Sequence, residues 1–280
     1  LLLPGPNLLT SIMGLLTRFR AGECAVSADV EAMFSQVMVE QEDEKMMAFL
    51  WRDMEESREP DVYVSVRHMF GATSSPTCSN FALRYAGKLG DTKYPGVSEV
   101  VQRQFYVDDF YVSRDTEEQA SSVATQVCEV LRDGGFKLTK WIANRKNMLA
   151  QFPEEERNPG VKDLKVEVLP EDKALGLKWS CEEDFFFSKT RREPPSDVVT
   201  PRIFLAFWAS VYDVLGYMGP FMFRGKLLRQ RVWDQVKDWD TPVSEELRLE
   251  AVTWAQDVGV LSRVRVPRWF GTKIGQPVKL

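Results

Sequence analysis

The sequence predicts an α+β fold, a body of mixed strands and helices followed by a helical module, on three observations. Short runs with period-two alternation interleave with amphipathic helical stripes as far as about residue 189. Two β-rich runs, Val101 to Val107 and Phe110 to Val112, flank Asp108-Asp109 as a tight hairpin would. Beyond the polar stretch Arg191-Arg192-Glu193-Pro194-Pro195, the pairs Thr200-Pro201 and Thr241-Pro242 each open a helix, with a third between them from Phe221 to about Trp239. The expected division is therefore 1–189 and 190–280.

The remaining elements follow in order. Leu8 to Phe19 carries Leu8, Ile12, Leu15, Leu16 and Phe19 on one helical face. Cys24 to Asp29 alternates like a buried strand ending at a carboxylate, and Val62, Val64 and Val66 alternate likewise after a turn at Gln41 to Asp43. Ser75-Pro76 puts an N-cap beside a proline, opening a helix through Phe81, Ala82 and Tyr85. Thr116 caps the next helix, which Gly134-Gly135 stops; Phe136 to Trp141 is then a strand. Ala174 to Trp179 and Phe185 to Phe187 form a second hairpin across an acidic turn.

Composition narrows the chemistry. With 280 residues, 44% hydrophobic and 28% charged, the chain buries a real core in one elaborate domain or two smaller ones. Its four cysteines (Cys24, Cys78, Cys128, Cys181) never form a CxxC, which excludes a thiolate zinc cluster and suits an intracellular reducing compartment. A single histidine, His68, excludes a multi-histidine metal site and reads as a strand residue with a satisfied hydrogen bond. Chemistry must rest on carboxylates, hydroxyls, lysines or arginines. Net charge is −5, but residues 190–280 hold 14 Lys and Arg against 10 Asp and Glu, while the first 189 hold 22 against 31. A mildly basic C-terminal third permits nucleic-acid contact, and equally suits ordinary solvated helix faces.

No basic segment precedes an apolar stretch, so no signal peptide is expected; opening at Leu1 in an apolar run reads as a piece of a longer polypeptide. Phe204 to Phe223 could span a bilayer by length. Asp213 at mid-span and the breaks at Gly216 and Gly219-Pro220 favour two core helices joined by a turn, with no membrane partner.

Four strings carry the chemistry together: Asp29-Val30-Glu31-Ala32-Met33-Phe34, Phe70-Gly71-Ala72-Thr73-Ser74-Ser75-Pro76, Tyr106-Val107-Asp108-Asp109, and Gly134 to Lys140 followed by Leu175 to Trp179. Two Mg²⁺ about 3.5–4 Å apart can clamp the attacking and leaving oxygens of a phosphoryl transfer, and magnesium accepts one or two carboxylates plus substrate phosphates. Asp29 and Asp108, 79 residues apart, would share a sheet edge if their strands pair. Taken singly, Asp108-Asp109 is an Asx turn, Asp29 a surface or capping residue, and Ser75-Pro76 a helix start.

Taken together, they resemble a reverse transcriptase, and in particular the BEL/Pao family of LTR retrotransposons. The resemblance rests on Phe70 to Pro76, Tyr106 to Asp109, Gly135 to Trp141 and Tyr212-Asp213-Val214-Leu215-Gly216, where such elements usually show Asp-Pro-Leu-Gly. It implies a right-hand polymerase with partial fingers (about 1–28 and 40–75), a palm with an antiparallel sheet (about 29–39 and 76–189) and a helical thumb (190–280). The implied activity is RNA-directed DNA polymerisation with two Mg²⁺, or Mn²⁺, as cofactors. The implied partners are dNTPs, an RNA or DNA template with its primer, and the protease, RNase H and integrase parts of a polyprotein in a cytoplasmic retroelement particle.

The resemblance also assigns residues. Asp29 and Asp108 would bind the metals with the Val30 carbonyl, Asp109 supporting. Phe34 would block a 2′-hydroxyl, though a core aromatic is the other reading. Phe70 and Gly71 would line the nucleotide pocket. Ser75 and Pro76 would start the helix beneath the template, beside Tyr106. Lys140, rather than Lys137, would protonate the leaving pyrophosphate, since alternation puts the two on opposite strand faces. Leu175, Gly176 and Trp179 would grip the primer 3′ end. Arg224, Lys226, Arg229 and Arg231 would track phosphates, or form a solvated helix side. The family's fingers hairpin lies ahead of Pro4-Gly5-Pro6 and no RNase H portion is read here, so this stretch alone is expected to be weak or inactive. The alternatives are an inactive or host-retained nucleic-acid-binding remnant, a two-carboxylate nuclease and a structural α+β module.

Overall fold

The computed structural model describes residues 2–162, 164, 168–188, 190, 192–261 and 263–275; Arg191, which opens the expected linker, lies outside them. The chain divides into two compact units, residues 1–167 with 271–280, and residues 168–270.

The first unit runs α1 (Ile12–Phe19), β1 (Cys24–Val30), α2 (Met33–Gln36), β2 (Ala48–Trp51), β3 (Asp61–Val64), α3 (Ser75–Gly90), α4 (Val97–Gln104), β4 (Phe105–Tyr106), β5 (Asp109–Arg114), α5 (Glu117–Asp133), β6 (Leu138–Ala143) and α6 (Lys146–Leu149). β1 is central in an antiparallel sheet of order β4-β5-β1-β6. Both faces of β1 are buried, Val26 and Ala25 completely. α5 covers it with Val127 and Leu131, also fully buried. Thr116 starts α5 as expected, its Oγ1 accepting from Gln119 N at 3.3 Å. By contrast β2 and β3 form a two-stranded ribbon exposed at every position. Val66 falls beyond β3.

Three boundaries differ from expectation. α1 starts at Ile12 rather than Leu8 because Ser11 caps it, accepting from Gly14 N at 3.3 Å. Val101 to Val107 is mostly helix: Val97, Val101 and Gln104 are buried at helical spacing in α4, and only Phe105–Tyr106 pairs as strand. The N-cap of α3 is Ser74, so Ser75 and Pro76 are its first two residues.

The second unit runs β7 (Glu171–Ala174), β8 (Leu177–Ser180), β9 (Phe185–Phe187), α7 (Pro201–Trp208), α8 (Gly219–Val236), α9 (Glu245–Leu261) and β10 (Val266–Pro267). Its sheet has the order β10-β9-β8-β7. The expected β8–β9 hairpin is present, with Trp179 opposite Phe186. Ala174 to Trp179 is not one strand, because Leu175 (φ +50°) and Gly176 (φ +91°) turn the chain between β7 and β8. β10 returns from beyond α9 to pair Val266 with Phe186, so this sheet draws strands from both sides of residues 189–190; the compact units part after residue 167.

The helices of this unit pack around Trp254, whose ring stacks on Phe221 at 5.5 Å and meets the edge of Phe207 at 6.2 Å. α8 approaches closely through Gly225, where a Cβ would lie 2.2 Å from the Trp254 ring. Thr200 caps α7 as expected. Thr241 does not start α9: its N–H and hydroxyl are held by Asp238, and Ser244 stands before Glu245 instead. Arg268 is fully buried and paired with Asp184 at 2.7 Å, which also accepts from Trp179 Nε1 at 3.0 Å. Among the described residues no helix is long and apolar enough to cross a membrane.

Candidate active site

The site grows from the pairing of β1 with β5 and β6. Register sets Asp29 directly opposite Asp109, so both carboxylates leave the same sheet face. Val30 N donates to Asp108 O at 2.8 Å and Glu31 N to Lys137 O at 2.8 Å, extending the ladder past the end of β1. Val107 and Asp108 form the two-residue turn of the β4–β5 hairpin, with Tyr106 opposite Asp109. Val107 is left-handed (φ +55°), the first position of a turn type that favours glycine. That turn aims Asp108 toward the end of β1, and both Asp29 and Asp108 line a cavity of about 250 Å³.

Lys140 reaches the same cavity by a register shift. Between Ser27 and Asp29 on β1, the facing residues on β6 are Ile142 and Thr139, so β6 holds one extra residue. Lys140 sits in that bulge with φ +56°, and bulges commonly re-aim a side chain. Its Nζ donates to Asp29 Oδ2 at 2.6 Å. Lys137 is engaged elsewhere, 3.8 Å from both Glu31 and Glu156.

The electrostatics follow from this crowding. Burial pushes the Asp108 carboxyl above its usual range and the Asp29 charge adds to it, while its own backbone N–H and Lys140 pull the other way. The hydrogen bond to Asp29 raises Lys140, with the Asp29 charge as the next cause. Two carboxylates that gather a lysine ammonium present an anionic site, and the ammonium stands where a cation is favoured. Among the described residues no three His, Cys, Asp or Glu side chains group to hold a metal. Two carboxylates nevertheless suit magnesium, which completes its shell with water and substrate phosphates.

The aromatic wall is Phe34, half-buried, with Phe70 at 4.9 Å between ring centroids. Phe70 is 79% exposed although it lines the cavity. Gly71, outside the residues lining that cavity, turns the chain beside Phe70 with a left-handed φ of +92°, and a Cβ there would meet no protein atom within 4 Å. Ser75 points inward, fully buried, with its hydroxyl donating to Met69 O at 2.8 Å and 3.3 Å from His68 Nδ1. Its side chain therefore supports the α3 start and does not reach a template. His68 follows an isolated bridge rather than sitting in a strand, and burial lowers its pKa.

Leu175, Gly176, Trp179, Arg224 and Arg229 belong to the second unit. Trp179 is fully buried, its N–H spent on Asp184, so its ring is unavailable to a primer. A Cβ on Gly176 would lie 2.6 Å from the Tyr212 ring, which brings two of the sequence strings together. Asp213 accepts from Met218 N at 2.8 Å just ahead of α8, a favourable place for a carboxylate. The basic residues of α8 do not form one row. At 100° per residue Arg224 and Arg231 share one side and Lys226 and Arg229 another. Arg231 pairs with Glu250 at 2.6 Å, and Arg229 lies 5.4 Å over the Trp208 ring. The Lys140 bulge, Val107 and Thr139 were not legible as site features beforehand; only the paired strands reveal them.

Comparison with known proteins adds an independent line. A family model for reverse transcriptase (RNA-dependent DNA polymerase) matches residues 3–141. A second, for a Pao retrotransposon-like RNaseH-like domain, matches residues 200–280. That second match corrects the expectation that no RNase H-related portion is present; the described residues there form α7, α8, α9 and β10. No curated protein matches the chain. Among solved structures, the foamy viral protease-reverse transcriptase dRH in complex with double-stranded DNA is similar over 93% of this chain and 39% of that one, at 13% identity and a TM-score of 0.59. The foamy viral protease-reverse transcriptase in complex with an RNA/DNA hybrid is similar over 92% of this chain and 30% of that one, at 13% identity and a TM-score of 0.56. The chain thus spans well under half the length of either, and shares with them the α+β right-hand polymerase fold. The two family matches, one on each side of residues 142–199, together support a fragment of a Pao (BEL/Pao) retrotransposon pol product, with a reverse transcriptase domain over residues 3–141.

Proposed function

We propose that this chain carries the polymerising site of a retrotransposon reverse transcriptase, adding dNTPs to a primer 3′ end on an RNA or DNA template. The observation that supports it most is the convergence of Asp29 and Asp108 on one cavity from positions 79 residues apart. Asp29, Asp108 and the Val30 carbonyl would hold two Mg²⁺ or Mn²⁺, with Asp109 in support. When bound, such ions stabilise charge on the attacking and leaving oxygens of an in-line displacement.

The chain's own residues divide the remaining work. The primer 3′ hydroxyl loses its proton to water, its oxygen bonds to the α-phosphorus, the bond to the leaving pyrophosphate breaks, and Lys140 Nζ gives a proton to that leaving group and regains one from solvent. For this, Lys140 must exchange Asp29 for the pyrophosphate oxygen. Phe34, backed by Phe70, bounds the sugar. Pro76 and Tyr106 border the template side, and the Leu175-Gly176 turn with Arg224 and Arg229 contacts the primer–template. In this reading fingers comprise about 1–28 and 40–75 and palm about 29–39 and 76–189, and residues 190–280, of which 200–280 match the RNaseH-like family model, form a helical thumb or connection-like region. Other parts of a polyprotein, protease and integrase among them, accompany it in a cytoplasmic particle.

Primer extension by the full polyprotein product that contains this chain, with Mg²⁺ and dNTPs, tests the reading. Asp29→Asn and Asp108→Asn are expected to reduce extension by at least about 10²-fold while folding is retained. Extension that survives Asp108→Asn overturns it, and Mg²⁺-dependent cleavage without dNTPs in place of extension points to a nuclease. The 280 residues alone are expected to extend weakly or not at all.

A further inference from the structure

β5 runs from Asp109 to Arg114, about 17 Å at ~3.4 Å per residue. At its Arg114 end lies a second cavity of about 340 Å³, distinct from the one at Asp29 and Asp108. Three arginines from three elements wall it: Arg18 of α1, Arg103 of α4 and Arg114 of β5. The frame is tied together. Ser113 Oγ donates to Arg18 O at 3.0 Å and accepts from Gly22 N at 3.1 Å. Arg18 Nη2 donates to Arg103 O at 2.5 Å, which holds the guanidinium across the last turn of α4.

The cavity is polar in an unfinished way. Arg18 Nε is buried without a hydrogen-bond partner, and so is Oε1 of Gln104, a residue only 9% exposed that also lines the cavity. Glu99 offsets one of the three positive charges, 2.7 Å from Arg103. Asp115 stands next to Arg114, and its Oδ1 accepts from Ile274 N at 3.1 Å. Burial, then the Arg103 charge, lowers the Arg18 pKa, and burial lowers that of Arg114. The N-terminal amides of α4 are not the attraction, because Gly96 N and Ser98 N already donate to Asp91 Oδ1 at 3.1 and 3.0 Å.

The geometry points to an anion site at Arg18, Arg103 and Arg114 that takes a phosphate group, free or as a nucleotide monoester. A phosphate dianion has enough oxygens to receive donors from three separate elements, and guanidinium forks match it; a carboxylate offers two oxygens and one charge. Gln104 Oε1 supplies an acceptor for a P–OH or sugar hydroxyl. Val100 and Ile274 give an organic body something apolar to lie against. This site does not depend on the polymerase reading.

Calorimetric titration of the full chain tests it, with inorganic phosphate in one arm and dAMP in the other, at ionic strength held constant with chloride. Arg103→Gln is expected to weaken phosphate binding about tenfold or more, and Arg114→Gln similarly. Asp108→Asn should leave it unchanged. Tighter binding of dAMP than of phosphate, lost in the same variants, identifies the monoester as the ligand; equal binding identifies the free ion. Should Arg114→Gln fail to fold, Arg103→Gln carries the test, since that side chain is 55% exposed. Phosphate binding that is absent, or that persists undiminished in Arg103→Gln, overturns the proposal.

Discussion

Lys140 and Asp29, 111 residues apart in sequence, meet in a 2.6 Å hydrogen bond because β6 carries one residue more than β1 between them. The pair closes an anionic cavity with the protein's own cation. In the proposed reaction that cation also carries the proton.

Lys140→Met is expected to lower the single-turnover rate by about 10²–10⁴-fold, the usual share of general acid catalysis, with Lys140→Arg restoring part of it. The folded-state pKa of Lys140 is raised, so its stabilising contribution is fully present below the ordinary 10.5 and disappears as pH rises through the higher folded value. Melting curves of wild type and Lys140→Met should therefore differ by a constant amount at neutral pH and converge under strong alkali.

Asp108 has the opposite consequence for stability at neutral pH. Its carboxyl pKa is raised, so ionisation weakens the fold above that pKa, and the penalty vanishes as pH falls below the ordinary 3.8. Without added metal, Asp108→Asn should melt higher than wild type at pH 7, and the gain should fade in acid. A variant that is more stable and yet inactive would mark a group kept for chemistry at the expense of stability.

Phe34 stands half-buried against Phe70, its ring on the cavity wall. Phe34→Val and Phe34→Ala should raise incorporation of ribonucleotides relative to deoxyribonucleotides by about tenfold or more, read from paired extension assays. Unchanged sugar discrimination would leave this ring a packing role only.

Val107 holds a β-branched side chain at φ +55°, a conformation that costs on the order of 1–3 kcal/mol. Val107→Gly should leave stability within about 1 kcal/mol of wild type in chemical denaturation, since relief of strain offsets added chain freedom. Val112→Gly, in the same hairpin but fully buried, should cost about 3 kcal/mol or more.

Much of the fold was written locally. Thr116 and Thr200 cap the helices they were expected to cap, because a hydroxyl facing a free amide acts within three residues. Asp29 at a strand end and the Tyr106 to Asp109 hairpin were readable for the same reason: strand alternation and turn chemistry are short-range. α4 was not, since Val97, Val100 and Val101 satisfy strand and helix patterns alike and packing chose between them. Trp179, expected at the primer 3′ end, is fully buried, its Nε1 donating to Asp184 in the neighbouring turn, which Arg268 holds from 84 residues further on.

The sequence by itself determined which residue types stand at which strand ends, turns and caps, and so the kind of chemistry available. Tertiary structure decided which of them meet. The extra residue in β6 that delivers Lys140 to Asp29 exists only as a mismatch between two strands. Likewise, the cluster of Arg18, Arg103 and Arg114 exists only because α1, α4 and β5 end at one place. Register and packing are relations between distant segments, and no local pattern encodes them.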